Sequence, residues 1–250
     1  MRSYLVAFRE YGIPSRDEVL AMLATAVAGG FIYSFDKWGN ETFDLVMGIK
    51  NLILYTIMCF LLISAIEVGR RFFAVKLGYK TEFQVWWVAI LISVFCVFFT
   101  RGWLKFLIPG GFFIKEIPHL RLGHFQYRLK IIDITKVALA GIMGGVFFTV
   151  ALSGMVAWPI TVMFMITIIA SLVPIDVPLK IATESTPHSA GSAIVFGSRP
   201  ALVFAIVLIA GSFILLKFLN FWMTMVLAII IAAIGGFAYL WIKELKTDLD

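Results

Sequence analysis

Long apolar runs constrain this chain more than any other feature. One run begins near Gly48 and continues to Gly69, and others recur along the 250 residues. An apolar helix of about 20 residues can cross the hydrocarbon core of a bilayer. The chain is 61% hydrophobic and only 14% charged, whereas soluble domains are nearer half apolar and a quarter charged. The sequence therefore predicts an all-α polytopic membrane protein.

Six of the runs predict transmembrane helices. Ser15 and Glu18 have the spacing of a capping box, which satisfies the first backbone N–H groups of a helix. A helix that begins here makes the first run a retained span rather than a cleaved signal peptide. The six predicted spans cover approximately 19–35, 48–69, 135–157, 158–175, 201–217 and 219–242.

The basic residues indicate how a seventh apolar run, 84–100, meets the membrane. If it crosses, the 21 Lys and Arg residues divide 8 to 13 between the two sides, which is no clear bias. If it enters and returns, 18 lie on one side, and only Lys37, Lys50 and Lys217 lie on the other. The positive-inside rule favours the second arrangement. Segment 84–100 is therefore predicted to be re-entrant, with its backbone covered by protein.

This topology has consequences for both ends of the chain. It predicts a multi-pass protein of the cell membrane whose two termini and 101–134 segment are cytoplasmic, with 36–47 outside. The formal net charge of +6 comes from basic residues in short loops between the apolar runs. That charge therefore indicates orientation in a lipid bilayer, and no nucleic-acid partner is expected.

The end of the second span carries the most informative motif. Residues 64–74 read S-A-I-E-V-G-R-R-F-F-A. This stretch resembles the zinc-binding helix of the intramembrane site-2 proteases, whose signature is H-E-x-x-H. The resemblance places Ile66 and Arg70 at the two histidine positions and keeps Glu67 as a vestigial general base. Isoleucine has no lone pair and arginine is a permanent cation, so zinc is expected to be absent.

Two further stretches extend the resemblance. Pro109, Gly110 and Gly111 match the turn of the membrane-dipping β-hairpin that follows the metal helix in this family, so the resemblance implies a β-hairpin for the re-entrant segment. The glycines also fit an ordinary tight turn. Residues 139–145 resemble the family's A-G-P-x-x-N helix, and Ala140 and Gly144 within them form a small-xxx-small pair that predicts close helix packing.

The third ligand position lies later in the chain. Ser171 to Pro174 resembles the N-x-x-P element, and residues 186–192 resemble the loop that carries L-D-G. Ala190 takes the place of the aspartate ligand, and Pro187, His188 and Gly191 surround it in a vestigial site loop. With all three ligands replaced, no inherited metal site remains. If the alignment is correct, the side chains of Ile66, Arg70 and Ala190 should converge.

The resemblance also implies a domain organisation. It extends from about residue 16 to residue 200, and its last part is most similar to archaeal, and thus prokaryotic, members. The chain is expected to form a single membrane domain, 1–250. It consists of a cytoplasmic N-terminus (1–18), a site-2 protease-like core (19–200), and two additional spans with a tail (201–250).

Two questions about the site stay open at the level of sequence. Glu67 either pairs with Arg70, three residues later on the same helix face, or faces the cytoplasmic headgroups. His119 and His124 offer a relocated metal site, but they are five residues apart and lie beside Arg121 and Arg128. A structural role for these histidines is the simpler interpretation.

Three functional hypotheses follow. In the first, the protein is an inactive site-2 protease relative, more a pseudoenzyme than an enzyme, whose groove binds a transmembrane segment or a partner subunit. β-Strand addition to the membrane-dipping strand would provide that recognition. In the second, it is an active intramembrane metalloprotease with a non-standard metal site. In the third, it is a structural subunit of a larger membrane complex.

Overall fold

The computed structural model describes residues 2–39, 43–117, 131–174 and 188–247. These residues are mostly helical, with one small antiparallel sheet of two strands. The elements in chain order are α1 (Arg2–Tyr11), α2 (Arg16–Ser34), α3 (Leu45–Lys76), β1 (Tyr79–Gln84), α4 (Trp87–Phe99), β2 (Gly111–Glu116), α5 (Ile131–Leu152), α6 (Trp158–Ala170), α7 (Ala190–Gly197), α8 (Arg199–Leu215) and α9 (Phe221–Thr247).

Within the described ranges, four helices are long and apolar enough to cross a membrane. They are α2, α3, α5 and the Phe221–Trp241 part of α9. Helices α4, α6 and α8 are apolar but have only 13, 13 and 17 residues. The expectation of a helical membrane protein is confirmed at this level, with four candidate spans by length and composition.

Helix α2 begins where the capping box predicts. The Ser15 hydroxyl accepts a hydrogen bond from the Glu18 backbone N–H at 3.3 Å, and the Glu18 carboxylate accepts one from the Ser15 N–H at 2.6 Å. This reciprocal pair satisfies N–H groups that have no partner within the helix. It also fixes the Glu18 carboxylate near the start of the helix, where other elements can reach it.

Helix α3 lies between α2 and α5 and contacts both closely. A Cβ atom added to Gly69 would lie 2.5 Å from the Ala140 carbonyl oxygen, and one added to Gly144 would lie 2.7 Å from the Ala65 carbonyl oxygen. Only glycine allows two helix backbones to approach this far. The packing role predicted for Ala140 and Gly144 is therefore confirmed.

The two strands determine the path of the predicted re-entrant run. In the antiparallel register Gln84 pairs with Gly111 and Tyr79 with Glu116, so segment 85–110 leaves and returns at the same end of the sheet. Within it, α4 has 13 residues and a length of about 20 Å, which is short of a ~30 Å hydrocarbon core. The path is the one a re-entrant segment requires, and most of 84–100 is helical rather than extended.

The tip of this segment lies at the far end of α2. The backbone N–H of Phe83 donates a hydrogen bond to Glu18 in the first turn of α2. At the other end of the segment, Lys105 forms an ion pair with Asp36, which follows the last turn of α2, and the Phe98 ring lies 5.0 Å from the Phe35 ring. The segment therefore runs along most of α2 before it turns back.

The contact between Lys105 and Asp36 bears on the predicted topology. The two residues form an ion pair but were predicted to lie on opposite sides of the membrane, so both assignments cannot hold. When Arg101 and Lys105 are counted on the side of Asp36, the basic residues divide 16 to 5. The bias that favours a re-entrant segment is retained.

Candidate functional site

A buried ion pair occupies the helix that carries the degenerate metal motif. The Arg70 Nη1 atom donates a hydrogen bond to Glu67 Oε1 at 2.5 Å, and the two side chains are 1% and 3% exposed. One turn of α3 separates them, so both lie on the same helix face. The predicted pairing is confirmed. The alternative, in which Glu67 faces the headgroups, is wrong because the carboxylate is enclosed by protein.

Glycines of α5 make room for the residues at the two histidine positions. A Cβ atom on Gly141 would lie 2.6 Å from Arg70 Cγ and 2.7 Å from its Nε. A Cβ atom on Gly145 would lie 2.9 Å from Ile66 Cγ1. The helix that resembles A-G-P-x-x-N therefore packs directly against the helix that resembles H-E-x-x-H.

Arg70 also contacts the small sheet. Its guanidinium carbon lies 4.6 Å from the centre of the Phe112 ring, which is a cation–π distance. The backbone of Phe112 exchanges two hydrogen bonds with the backbone of His188, both of 2.9 Å. One continuous set of contacts thus joins Glu67, Arg70, Phe112 and His188.

Ala190, which the resemblance compares with the third ligand, lies just beyond His188. Ala190 is buried as the first residue of α7, which Ser189 caps by accepting a hydrogen bond from the Ser192 N–H. Thr135 of α5 donates a hydrogen bond to the Ala193 carbonyl, which fastens α7 to α5. Ile66, Phe112 and Ala190 belong to the same hydrophobic core. Helix α3, which carries Ile66 and Arg70, and helix α7, which begins at Ala190, therefore both pack on α5.

The remaining site residues have definite structural roles. Gly110 has a φ of +108°, and a Cβ atom there would lie 2.8 Å from the Gln84 carbonyl oxygen, so the backbone just before β2 requires glycine. Gly191 packs against the carbonyl group of Leu172, just after α6, and the Ser171 hydroxyl donates to the Ile168 carbonyl. Pro187, His119 and His124 lie outside the described residues.

A second buried ion pair lies near the first and was missed from sequence. Arg71 donates a hydrogen bond to Glu18 Oε1 at 2.7 Å, and the same oxygen accepts the Phe83 N–H at 3.0 Å. This carboxylate thus joins α2, α3 and β1. The capping box was the only sequence signal at Glu18, and it indicates nothing about a contact with Arg71, 53 residues away.

The first ion pair is not fully hydrogen-bonded by the described residues. Glu67 Oε2, Arg70 Nε and Arg70 Nη2 are buried without a partner among them. Buried polar atoms of this kind lose the hydration that they have in the unfolded chain. The geometry therefore places two opposite charges inside the protein at some cost in stability, which is more typical of specificity or function than of simple packing.

Zinc does not fit at Ile66, Arg70 and Ala190, the three positions that the resemblance compares with ligands. Ile66 and Ala190 have no donor atom, and the Arg70 guanidinium is a cation already packed on Gly141. Over the described ranges, no three His, Cys, Asp or Glu side chains form a group that could hold a metal ion. No known protein family matches the chain, and neither any curated protein nor any solved structure is detectably similar to it.

Proposed function

We propose that this chain is a six-span relative of the site-2 proteases that binds a membrane partner without cutting it. The observation that supports the proposal is the Glu67–Arg70 ion pair, which is buried in the helix that the proposed alignment equates with the metal-binding helix of the family. Arginine supplies a fixed positive charge in place of the metal cation. The retained glutamate then neutralises that charge rather than activating water.

The contacts of Arg70 support a binding role for the nearby strand. Backbone hydrogen-bonding groups alternate between the two sides of an antiparallel strand, and those of Phe112 bond His188. Those of Ile114 and Glu116 therefore also point away from β1. The His188 segment already pairs with Phe112, so an extended partner peptide would add beside it or displace it. Arg70 holds Phe112 in place through its ring.

Restoring the three ligands tests the alignment on which the proposal depends. The triple variant Ile66→His, Arg70→His, Ala190→Asp should bind one zinc ion per chain, while the parent binds none. Two imidazoles one helical turn apart and a carboxylate form a three-ligand catalytic site. Elemental analysis of the purified protein measures the result, and drift of surrounding residues would weaken affinity by about 10–100-fold.

A matched control distinguishes this site from histidines in general. Val68 is 59% exposed on α3, on a different face from Ile66, so Val68→His combined with Arg70→His and Ala190→Asp should bind no zinc. Equal zinc in both variants, or none in either, would refute the alignment.

Association and cleavage separate the functional alternatives. Glu67→Ala should change the proteins recovered with the chain from native membranes without changing proteolysis. Zinc in the parent, together with cleavage that Glu67→Ala abolishes, would favour the active protease instead. A stoichiometric partner in every preparation would favour the structural subunit of a larger complex.

A further inference from the structure

A pocket of about 400 Å³ opens at the end of α2 opposite Glu18. Asp36, Lys37 and Lys105 form its charged wall. Aromatic residues, including Tyr55 and Trp103, and apolar residues of α6 form the remainder. The volume lies within the usual range of small-molecule sites, about 300–1,000 Å³. None of these residues belongs to the site around Glu67.

The charged wall carries an excess of positive charge. Lys105 forms an ion pair with Asp36, and the Lys37 Nζ atom lies 3.9 Å from the other Asp36 oxygen. Two ammonium groups therefore share one carboxylate. Each ammonium has three donors, so both retain capacity to bind an anion. Lys105 is 18% exposed, and its ammonium is held within the pocket rather than in open solvent.

Exposed aromatic side chains near the pocket favour a location at the level of the lipid headgroups. Trp103 is 87% exposed and Phe99 is 78% exposed, beside the end of α2. Trp38 stacks on Phe43 in the loop that follows. Aromatic residues at the ends of apolar helices are typical of the membrane–water interface. Phosphate groups of lipids lie at this depth.

An apolar groove adjoins the pocket. It has a volume of about 430 Å³, lies between α6 and α8, and is lined by apolar residues such as Met165, Ile169 and Phe213. Val162 and Ile166 line both the groove and the charged pocket. A cationic pocket and an apolar groove that share a wall are complementary to an amphiphile with an anionic head.

We propose that the pocket and the groove together bind one anionic phospholipid. Its phosphate-bearing headgroup contacts Lys37 and Lys105, and one acyl chain lies over Val162 and Ile166 in the groove between α6 and α8. A water-soluble phosphate compound would use only the pocket, and a neutral lipid would use mainly the groove.

Native mass spectrometry of the detergent-solubilised full chain tests the headgroup contact. Phosphatidylglycerol should bind in preference to phosphatidylcholine. Lys37→Gln and Lys105→Gln should each reduce that preference about fivefold, the effect of one interfacial cation on an anionic lipid. Lys50 is exposed at the same end of the protein but does not line the pocket, so Lys50→Gln should retain the full preference.

Lys37→Gln keeps this test decisive if Lys105→Gln does not fold. Lys37 is 46% exposed and does not attach the tip of segment 85–110 to α2. An unchanged preference in Lys37→Gln would overturn the proposal, as would an equal reduction in Lys50→Gln.

A second variant tests the acyl-chain contact. Ala210 is exposed and lines the groove, so Ala210→Trp should reduce binding of both lipids several-fold and leave their ratio unchanged. Ala233→Trp, at an exposed position of α9 outside the groove, should have no effect. Inorganic phosphate at the lipid concentration should not displace phosphatidylglycerol. Displacement by phosphate, or full lipid binding by Ala210→Trp, would overturn the lipid assignment.

Discussion

Charged side chains collect at both ends of α2, and the two groups differ in their exposure. At the first end, Glu18 pairs with Arg71, and these side chains are 7% and 3% exposed. At the other end, Asp36 pairs with Lys105 and is 42% exposed. The buried group connects secondary-structure elements and excludes solvent. The open group can exchange one partner for another, which is the property that a ligand site needs.

The Glu67–Arg70 pair belongs with the buried group, and Arg70 directly precedes Arg71 on α3. Its members cannot turn toward water because Gly141 and Phe112 enclose Arg70. Breaking such a pair leaves a charge without compensation, whereas removing both partners leaves none. Single and double substitutions can therefore distinguish the buried ion pairs from the open ones by their effects on the free energy of unfolding.

The largest expected effect is the loss of one partner from the buried pair. Glu67→Ala should lower the free energy of unfolding by about 3–5 kcal/mol, because Arg70 remains buried and unpaired. The double variant Glu67→Leu, Arg70→Met should recover most of that loss. Denaturant unfolding in detergent micelles, followed by tryptophan fluorescence, measures both. A change below about 1 kcal/mol in Glu67→Ala would mean that water reaches Arg70.

A smaller effect is expected at the open end. Asp36→Asn removes the carboxylate between Lys37 and Lys105, and surface pairs contribute about 0–1 kcal/mol. The free energy of unfolding of the variant should therefore lie within about 1 kcal/mol of that of the parent, although the variant loses two ion pairs. A loss comparable to that of Glu67→Ala would show that the Asp36–Lys105 contact is structural and would remove the contrast between the ends.

Local patterns in the sequence predicted much of the fold. The apolar runs predicted the helices, and the Ser15–Glu18 spacing predicted the start of α2. The pairing of Glu67 with Arg70 was predictable because three residues on a helix place both side chains on one face. The positive φ at Gly110 agrees with the conformational freedom of glycine, but Pro109–Gly111 leads into β2 and is not a hairpin turn, because α4 lies between the two strands.

Contacts between distant parts of the chain were not predictable in the same way. The Glu18–Arg71 and Asp36–Lys105 pairs depend on how α3 and segment 85–110 pack along α2, and no local periodicity encodes that packing. The count of basic residues assigned all of 101–134 to one side of the membrane, whereas Lys105 lies beside Asp36 at the end of α2. The pocket beside Lys105 was missed for the same reason.

The smallest expected effect concerns Glu82 on β1. Its side chain is more exposed than those of Glu18 and Glu67 and less exposed than that of Asp36. Partial burial favours the protonated carboxyl, but hydrogen bonds from Lys115 at 2.6 Å and Lys80 at 2.9 Å outweigh it, so the Glu82 pKa lies below its ordinary value of 4.5. A pKa lowered by folding means that these contacts stabilise the protein at neutral pH. Their contribution is lost as the pH falls from about 4.5 through the folded-state pKa.

Glu82→Gln isolates this contribution from the other carboxylates that titrate in the same range. Lys80 and Lys115 are 35% and 50% exposed, so both ion pairs are partly solvated. The free energy of unfolding of the parent should therefore exceed that of the variant by less than about 1 kcal/mol at pH 7. The difference in unfolding free energy should shrink toward zero when both proteins are compared below pH 4. If the difference in unfolding free energy stays constant from pH 7 to pH 3, the protonated and ionised forms of Glu82 stabilise the protein equally. Glu82 would then not act as a solvated ion pair.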